Sequence, residues 1–142
     1  MKKIITFNQA LRMSLYLIGL LILFHLAILI GITVFDYAPI NYLWGGQMTS
    51  AGQLLTFEII SLLTLFIIFL LVLIRSRWII LPRFMRVTRV AMWVLFTIFL
   101  LNTIGNLVAA STFERFFAIA TGLLAFLFLR IALEKNHDHE TS

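Results

Sequence analysis

Four long apolar segments constrain the fold of this chain more than any other feature. They are residues 11–34, 54–74, 90–110 and 113–133. Each is close to the length of about 20 residues with which an α-helix crosses a hydrocarbon core of roughly 30 Å. Because a helix satisfies its own backbone hydrogen bonds in lipid, the segments predict an all-α integral membrane four-helix bundle. Short connections favour an up-down-up-down order within a single domain of residues 1–135.

The composition supports lipid as the solvent for these segments. Hydrophobic residues make up 62% of the 142 residues and charged residues only 12%. Roughly a quarter of the residues of a soluble domain are charged, so this chain cannot cover a water-exposed surface. The four segments leave no room for a soluble domain, and residues 136–142 are predicted to be a disordered polar tail.

The basic residues are distributed unevenly about the four segments. Of the 11 Lys and Arg residues, only Arg115 falls on the side that carries the first and third connections. Positive residues accumulate on the cytoplasmic side of membrane proteins, so both termini are predicted to be cytoplasmic. The predicted location is the inner (plasma) membrane, crossed several times. The net charge of +5 then reflects membrane topology, and no nucleic-acid partner is expected.

The connection between the second and third segments alternates basic and large apolar residues. Such a sequence is typical of a segment that lies in the headgroup layer. We therefore predict contacts with anionic lipid headgroups, chiefly for topology and anchoring. The arginines of this inner loop are Arg75, Arg77, Arg83, Arg86 and Arg89.

Two helix starts carry the pattern of a capping box. Ser50 precedes Gln53 at the second segment, and Ser111 precedes Glu114 at the fourth. In a capping box each of the two side chains bonds the other residue's backbone amide. The second box also leaves a tight turn, so the third and fourth segments are expected to be antiparallel neighbours.

Six polar residues within the segments are the candidate site. Ionisable groups in a membrane span are costly, and each is a functional candidate by default. With a helical rise of 1.5 Å per residue, all six lie in the outer half or near the midplane, with His25 roughly 13 Å deep. Because all four segments contribute, we predict an outward-facing polar pocket. Its candidate ligand-binding residues are His25, Glu58, Ser61, Asn102, Asn106 and Thr121.

Three further residues are predicted at the mouth of the pocket. They are Asp36, Trp44 and Glu114. Asp36 follows His25 by eleven residues, close to three helical turns, which would put both side chains on one face. Trp44 belongs to an interfacial aromatic cluster in the outer loop, and Glu114 opens the fourth segment.

A purely structural interpretation of the polar residues stands beside the functional one. Asn, Ser, Thr and His side chains often join membrane helices by hydrogen bonds, and Asn102 and Asn106 fit that role. The chain has no cysteine, no phosphate-binding loop and no zinc-protease or serine-hydrolase motif. We therefore predict no catalytic residue, no metal site and no cofactor.

The sequence resembles small bacterial four-span membrane proteins with no assigned function, over nearly its whole length. The residues that carry the likeness are Asn41-Tyr-Leu-Trp-Gly-Gly-Gln47, Phe57-Glu58 with Ser61, Leu101-Asn-Thr-Ile-Gly-Asn106 and Thr112-Phe-Glu114. The resemblance implies a four-helix membrane unit and no activity. By architecture alone, the chain is similar to DoxX-like and sterol-isomerase-like (EXPERA) bundles, which hold acidic and aromatic residues in a pocket among four helices.

Four functions compete on this sequence. The favoured one is binding of a small amphipathic ligand or lipid from the outer leaflet. An accessory or scaffold subunit without a ligand follows closely, and a small homo-oligomeric ion- or proton-coupled transporter comes third. An enzyme would need acid–base chemistry by Glu58 and His25, and it is the least favoured.

Overall fold

Four long helices make up most of the computed structural model, which describes residues 4–134. The helices are α1 (Phe7–Val34), α2 (Ala51–Arg75), α3 (Met85–Val108) and α4 (Thr112–Ala132). Short 3-10 helices at Trp44–Gly46 and Pro82–Phe84 lie in the connections before α2 and α3. No strand occurs in the described range. The predicted tail 136–142 lies outside it, as do residues 1–3 and Lys135.

All four helices are long and apolar enough to cross a membrane, which makes the chain a multi-pass membrane protein by length and composition. Large apolar side chains cover their outward faces; Tyr16 is 75% exposed and Ile67 is 60% exposed. In water this surface would be unfavourable, whereas lipid tails solvate it. The predicted all-α architecture with four membrane-length helices is therefore confirmed.

Helix α1 begins four residues before the predicted membrane segment 11–34. The helix begins at Phe7 because Thr6 is its N-cap. The Thr6 hydroxyl accepts the Gln9 amide at 3.2 Å, and the Gln9 side chain accepts the Thr6 amide at 2.9 Å. This complete capping box precedes the apolar run, so apolar periodicity alone does not reveal it.

The two predicted capping boxes are each half formed. The Ser50 hydroxyl accepts the Gln53 amide at 3.1 Å, and the Ser111 hydroxyl accepts the Glu114 amide at 3.2 Å. The return bonds, however, go elsewhere. The Gln53 side chain accepts the amide of Thr49 at 2.9 Å, one residue before the cap. The Glu114 carboxylate bonds a distant loop residue that belongs to the site described below.

The helices pack as a ring in which α3 and α4 make the most extensive contact and α2 and α3 the thinnest. Fully buried side chains from all four helices form the core along the middle of the ring. They include Ile18, Val72, Met92, Leu127 and Phe128. This larger core occupies the half of the bundle nearer the start of α1. A smaller buried apolar cluster lies toward the other end, near the polar groups, and consists of Ile28, Leu43, Met48 and Leu54.

Arginines close the end of the bundle where α4 terminates. Arg75 donates to the carbonyl of Glu134 at 2.6 Å, and Arg89 donates to the carbonyl of Ala132 at 3.2 Å. The last carbonyls of a helix lack intrahelical partners, so these cations satisfy them. Arg130 also donates to the carbonyl of Ile5 at 3.0 Å, which ties the segment before α1 to the end of α4.

These contacts change the role expected for part of the inner loop. Arg75 is only 2% exposed, and its guanidinium also lies 5.5 Å from the centre of the Phe7 ring. It is therefore turned into the protein rather than toward headgroups. Of the five loop arginines, Arg77, Arg83 and Arg86 are exposed. The sequence alone could not show which of these arginines are exposed. Arg75 and Arg89 differ from the others because they bond carbonyls at the end of α4, and only the fold brings that end close to them.

Candidate functional site

A cavity of about 570 Å³ lies where the loop between α1 and α2 meets the turn between α3 and α4. All four helices and the loop contribute to its lining. Cavities of several hundred cubic ångströms are typical of small-molecule sites. Its polar side chains are His25, Trp44, Gln47, Glu58, Asn102, Asn106 and Glu114.

Glu58 is at the centre of a three-residue hydrogen-bond group. It is 1% exposed, and a carboxylate within a membrane helix is itself rare and costly. His25 Nδ1 on α1 lies 2.5 Å from Glu58 Oε2, and Trp44 Nε1 in the loop donates to Oε1 at 3.0 Å. Both carboxylate oxygens therefore have partners. The group joins α1, α2 and the loop at one point.

The loop segment that carries Trp44 is held in an uncommon conformation. Trp44 has φ 55°, and Gly45 and Gly46 follow with φ 68° and 67°. A left-handed residue other than glycine is uncommon and costs on the order of 1–3 kcal/mol. The indole bond to Glu58 offsets this cost, as does the packing of the ring against Phe57 at a centroid distance of 5.2 Å. Such local strain is characteristic of functional sites.

Glu114 is the second buried carboxylate of the cavity, at 8% exposure. Its Oε1 accepts the backbone N–H of Gly45 at 2.6 Å. Its Oε2 is buried and has no hydrogen-bond partner among residues 4–134. A buried acceptor without a donor is unfavourable by about 1–3 kcal/mol, and more if it is charged. A donor from outside the chain that reaches this oxygen would therefore be stabilised.

The remaining predicted polar residues belong to the contact between α3 and α4. Thr121 is buried and hydrogen-bonds Thr103 at 3.0 Å, with Asn106 at the longer distance of 3.5 Å. Asn106 lines the cavity, whereas Thr121 lies behind it and does not. Asn102 is exposed and lines the cavity one turn along α3. Thr103 was not predicted, although it lies three residues from Asn106 and so on a neighbouring part of the same face.

The structure thus brings most of the predicted residues together, and besides Thr121 it places two more outside the cavity lining. Asp36 is exposed and does not line it. Asp36 does not share a helix face with His25, because α1 ends at Val34 and Asp36 has a non-helical backbone with φ 50°. Ser61 does not line the cavity either, because it lies deeper along α2 than Glu58, at whose level the cavity ends.

Several lining residues were missed by the sequence reasoning. Phe24, Phe113 and Phe117 form an aromatic cluster with centroid distances of 4.9–5.9 Å. They were treated only as apolar span residues. Gly45 was not singled out as a site residue, yet its amide is a hydrogen-bond donor of the site. The pair of glycines beside a tryptophan was the one signal that could have indicated an unusual loop.

Within residues 4–134, no three His, Cys, Asp or Glu side chains come together in a way that could hold a metal ion. Comparison with known proteins identifies no relative, because no protein-family model, no curated protein and no solved structure matches the chain. The geometry of the cavity is therefore the basis for the function proposed below.

Replacing Gly45 with alanine is expected to lower the free energy of unfolding by about 1–2 kcal/mol, since a side chain disfavours the left-handed conformation. The matched control is Gly52→Ala in α2, where an added Cβ has no neighbour within 4 Å. That variant should be neutral or slightly stabilising, because alanine favours the helix. Unfolding by SDS in mixed micelles measures both. Equal effects of the two substitutions would contradict a strained loop.

Proposed function

We propose that this protein binds a small amphipathic molecule or lipid in the cavity between the loop and the four helices. One observation carries the proposal: the buried Glu114 Oε2 has no donor among residues 4–134, and the Glu114 side chain lines a cavity of about 570 Å³. A ligand that brings a donor would satisfy this oxygen, and the aromatic cluster would contact the ligand's apolar part.

The proposed orientation puts the cavity on the outer side of the inner (plasma) membrane. The four helices cross in an up-down-up-down order with both termini cytoplasmic. The distribution of basic residues supports this, because Arg115 alone among the 11 Lys and Arg residues belongs to the cavity end. A ligand would then enter from the outer leaflet.

The two carboxylates have different roles in the proposed site. Both oxygens of Glu58 are already bonded, so Glu58 holds the loop in place through Trp44. Glu114 holds the same loop through the Gly45 amide with one oxygen and keeps the other for a ligand. The loop therefore covers the cavity and is held by hydrogen bonds at two adjacent residues, Trp44 and Gly45.

The contrast between the carboxylates also favours binding over a scaffold function. A polar cluster that serves only to join helices has every reason to satisfy all of its groups, as the Glu58 group does. Glu114 departs from that pattern within the same cavity. Asn102 and Asn106 add amide donors and acceptors on the α3 side of the lining.

The sharpest test fills the cavity without removing a hydrogen bond. Gly105 lines the cavity, and a Cβ added there meets no atom within 4 Å. Gly105→Leu should therefore fold, because leucine also favours the helix, and its side chain should occupy ligand space. Gly19→Leu is the control, since Gly19 is equally unobstructed and lies outside the lining.

Native mass spectrometry of the protein released from nanodiscs made of native lipids distinguishes the outcomes. We expect a bound molecule on the wild type and on Gly19→Leu, and a lower occupancy on Gly105→Leu that corresponds to an affinity at least tenfold weaker, about 1.4 kcal/mol. A bare wild-type protein would overturn the proposal, and so would equal occupancy of all three proteins. Either result would favour an accessory subunit whose polar residues only join helices.

A further inference from the structure

We infer that the ligand carries a protonated amine, and that its N–H group donates to Glu114 Oε2. This rests on the proposed binding function and adds the chemical class of the ligand's polar head. The ligand is thus an alkylammonium amphiphile, with its cationic head at α4 and its apolar part along the aromatic cluster.

The charges that line the cavity favour a cation. Two carboxylates contribute to the lining, Glu58 and Glu114, and no Lys or Arg of the described chain does. His25, the only other group there that can be positively charged, is bonded to Glu58. Glu114 is left with a single neutral donor, the Gly45 amide. The Glu114 carboxyl thus has no cationic side chain beside it in the lining.

The nearest basic residue in sequence does not supply that partner. Arg115 follows Glu114 directly, but its side chain is exposed. Its Nε donates to the carbonyl of Ala109 at 2.9 Å, at the turn between α3 and α4. The guanidinium is not among the groups that line the cavity.

Other polar heads fit this environment less well. A carboxylate or phosphate would lie beside two acidic side chains that are themselves buried, and like charges repel. A hydroxyl could donate to Glu114 Oε2, but it would leave the charge without compensation. An ammonium group donates and compensates at once, and charge-assisted hydrogen bonds are the stronger kind.

The aromatic cluster fits the same ligand class. Phe24, Phe113 and Phe117 line the cavity together with Glu114. Aromatic faces attract ammonium groups, and the attraction grows when water is excluded. The rings also offer an apolar wall for a hydrocarbon chain, so both ends of an alkylammonium ion have partners in one cavity.

Three amphiphilic probes, each with ten carbon atoms, isolate the contribution of the ligand's polar head group to binding. Decylamine, decanol and decanoate differ only in the polar group, and their occupancy can be measured by native mass spectrometry on protein in phosphatidylcholine nanodiscs at neutral pH. We expect decylamine to bind the wild type about tenfold more tightly than either other probe. In Glu114→Gln, which keeps an acceptor for the Gly45 amide, this preference should disappear.

The outcomes separate this inference from the proposed function. If decanol or decanoate binds the wild type as tightly as decylamine, the cavity binds ligands and the inference is overturned. Retention of the amine preference in a folded Glu114→Gln protein also overturns it. If no probe binds, both proposals fail together. If Glu114→Gln does not fold, the relative affinities of the three probes for the wild-type protein still test the inference.

A lipid and a free amine can present the same ammonium group, and a competition arm distinguishes them. Phosphatidylethanolamine carries N–H donors, whereas the quaternary headgroup of phosphatidylcholine carries none. Displacement of decylamine by added phosphatidylethanolamine identifies a lipid headgroup as the source. Persistence of bound decylamine identifies a free amphiphilic amine, and either result supports the ammonium site.

Discussion

Replacing Glu58 with leucine is expected to lower the free energy of unfolding by about 3 kcal/mol, since hydrogen bonds to a charged group contribute about 1.5–3 kcal/mol each. The carboxylate accepts the Trp44 indole N–H at 3.0 Å and lies 2.5 Å from His25 Nδ1. Without it, both partners remain in a part-buried site, and the left-handed loop loses the bond that offsets its strain. SDS titration in mixed micelles measures the change.

A double-mutant cycle shows whether the loss comes from the pair itself. Glu58→Leu, His25→Leu and the double variant should give a coupling free energy of roughly 1–3 kcal/mol, because the two side chains are in contact. Glu58→Gln is the matched control, since it keeps an oxygen that can accept the Trp44 indole N–H. Strictly additive losses in the cycle would contradict a direct interaction between His25 and Glu58.

Replacing Arg130 with methionine is expected to lower the free energy of unfolding by about 2–3 kcal/mol, because buried acceptors lose a charged donor. Arg130 is 3% exposed and donates to the Ile5 carbonyl at 3.0 Å and to Glu134 Oε2 at 2.9 Å. Methionine keeps much of the side chain's apolar packing, so the change isolates the guanidinium. The Ile5 carbonyl would lose its donor from α4.

Two readouts check this prediction. Unfolding in mixed micelles gives the stability, and hydrogen exchange at the start of α1 should accelerate by more than it does elsewhere in the bundle. Arg83→Met is the control, because Arg83 is exposed in the inner loop. Substitutions at the surface usually change the free energy of unfolding by no more than about 0.5 kcal/mol. If both variants exchange and unfold like the wild type, the contact with Ile5 contributes nothing measurable.

The membrane-length helices could be predicted because lipid imposes a simple rule on sequence. A segment that crosses it must be apolar and helical, and the apolar runs show this directly. The errors lie at helix ends. Thr6 and Gln9 extend α1 before its apolar run begins, because capping depends on side-chain hydrogen bonds rather than on hydropathy.

The candidate site was predictable where a residue was anomalous for its surroundings. His25 and Glu58 are ionisable groups in apolar helices, and the high energy of such groups in lipid made each a candidate site residue. Asp36 and Ser61 were assigned by helical spacing, which holds only within one continuous helix and says nothing of how deep a cavity extends. Both therefore fall outside the lining.

The sequence alone determined that the chain forms four apolar helices and that a few polar groups lie among them, because hydropathy acts residue by residue. Which polar groups meet was decided only by the tertiary structure. Local pattern assigned the Glu114 side chain to the cap of its own helix, whereas the fold brings it to the amide of Gly45, 69 residues away. A carboxylate takes the best donor within reach, and helix packing and loop conformation determine which donors are near.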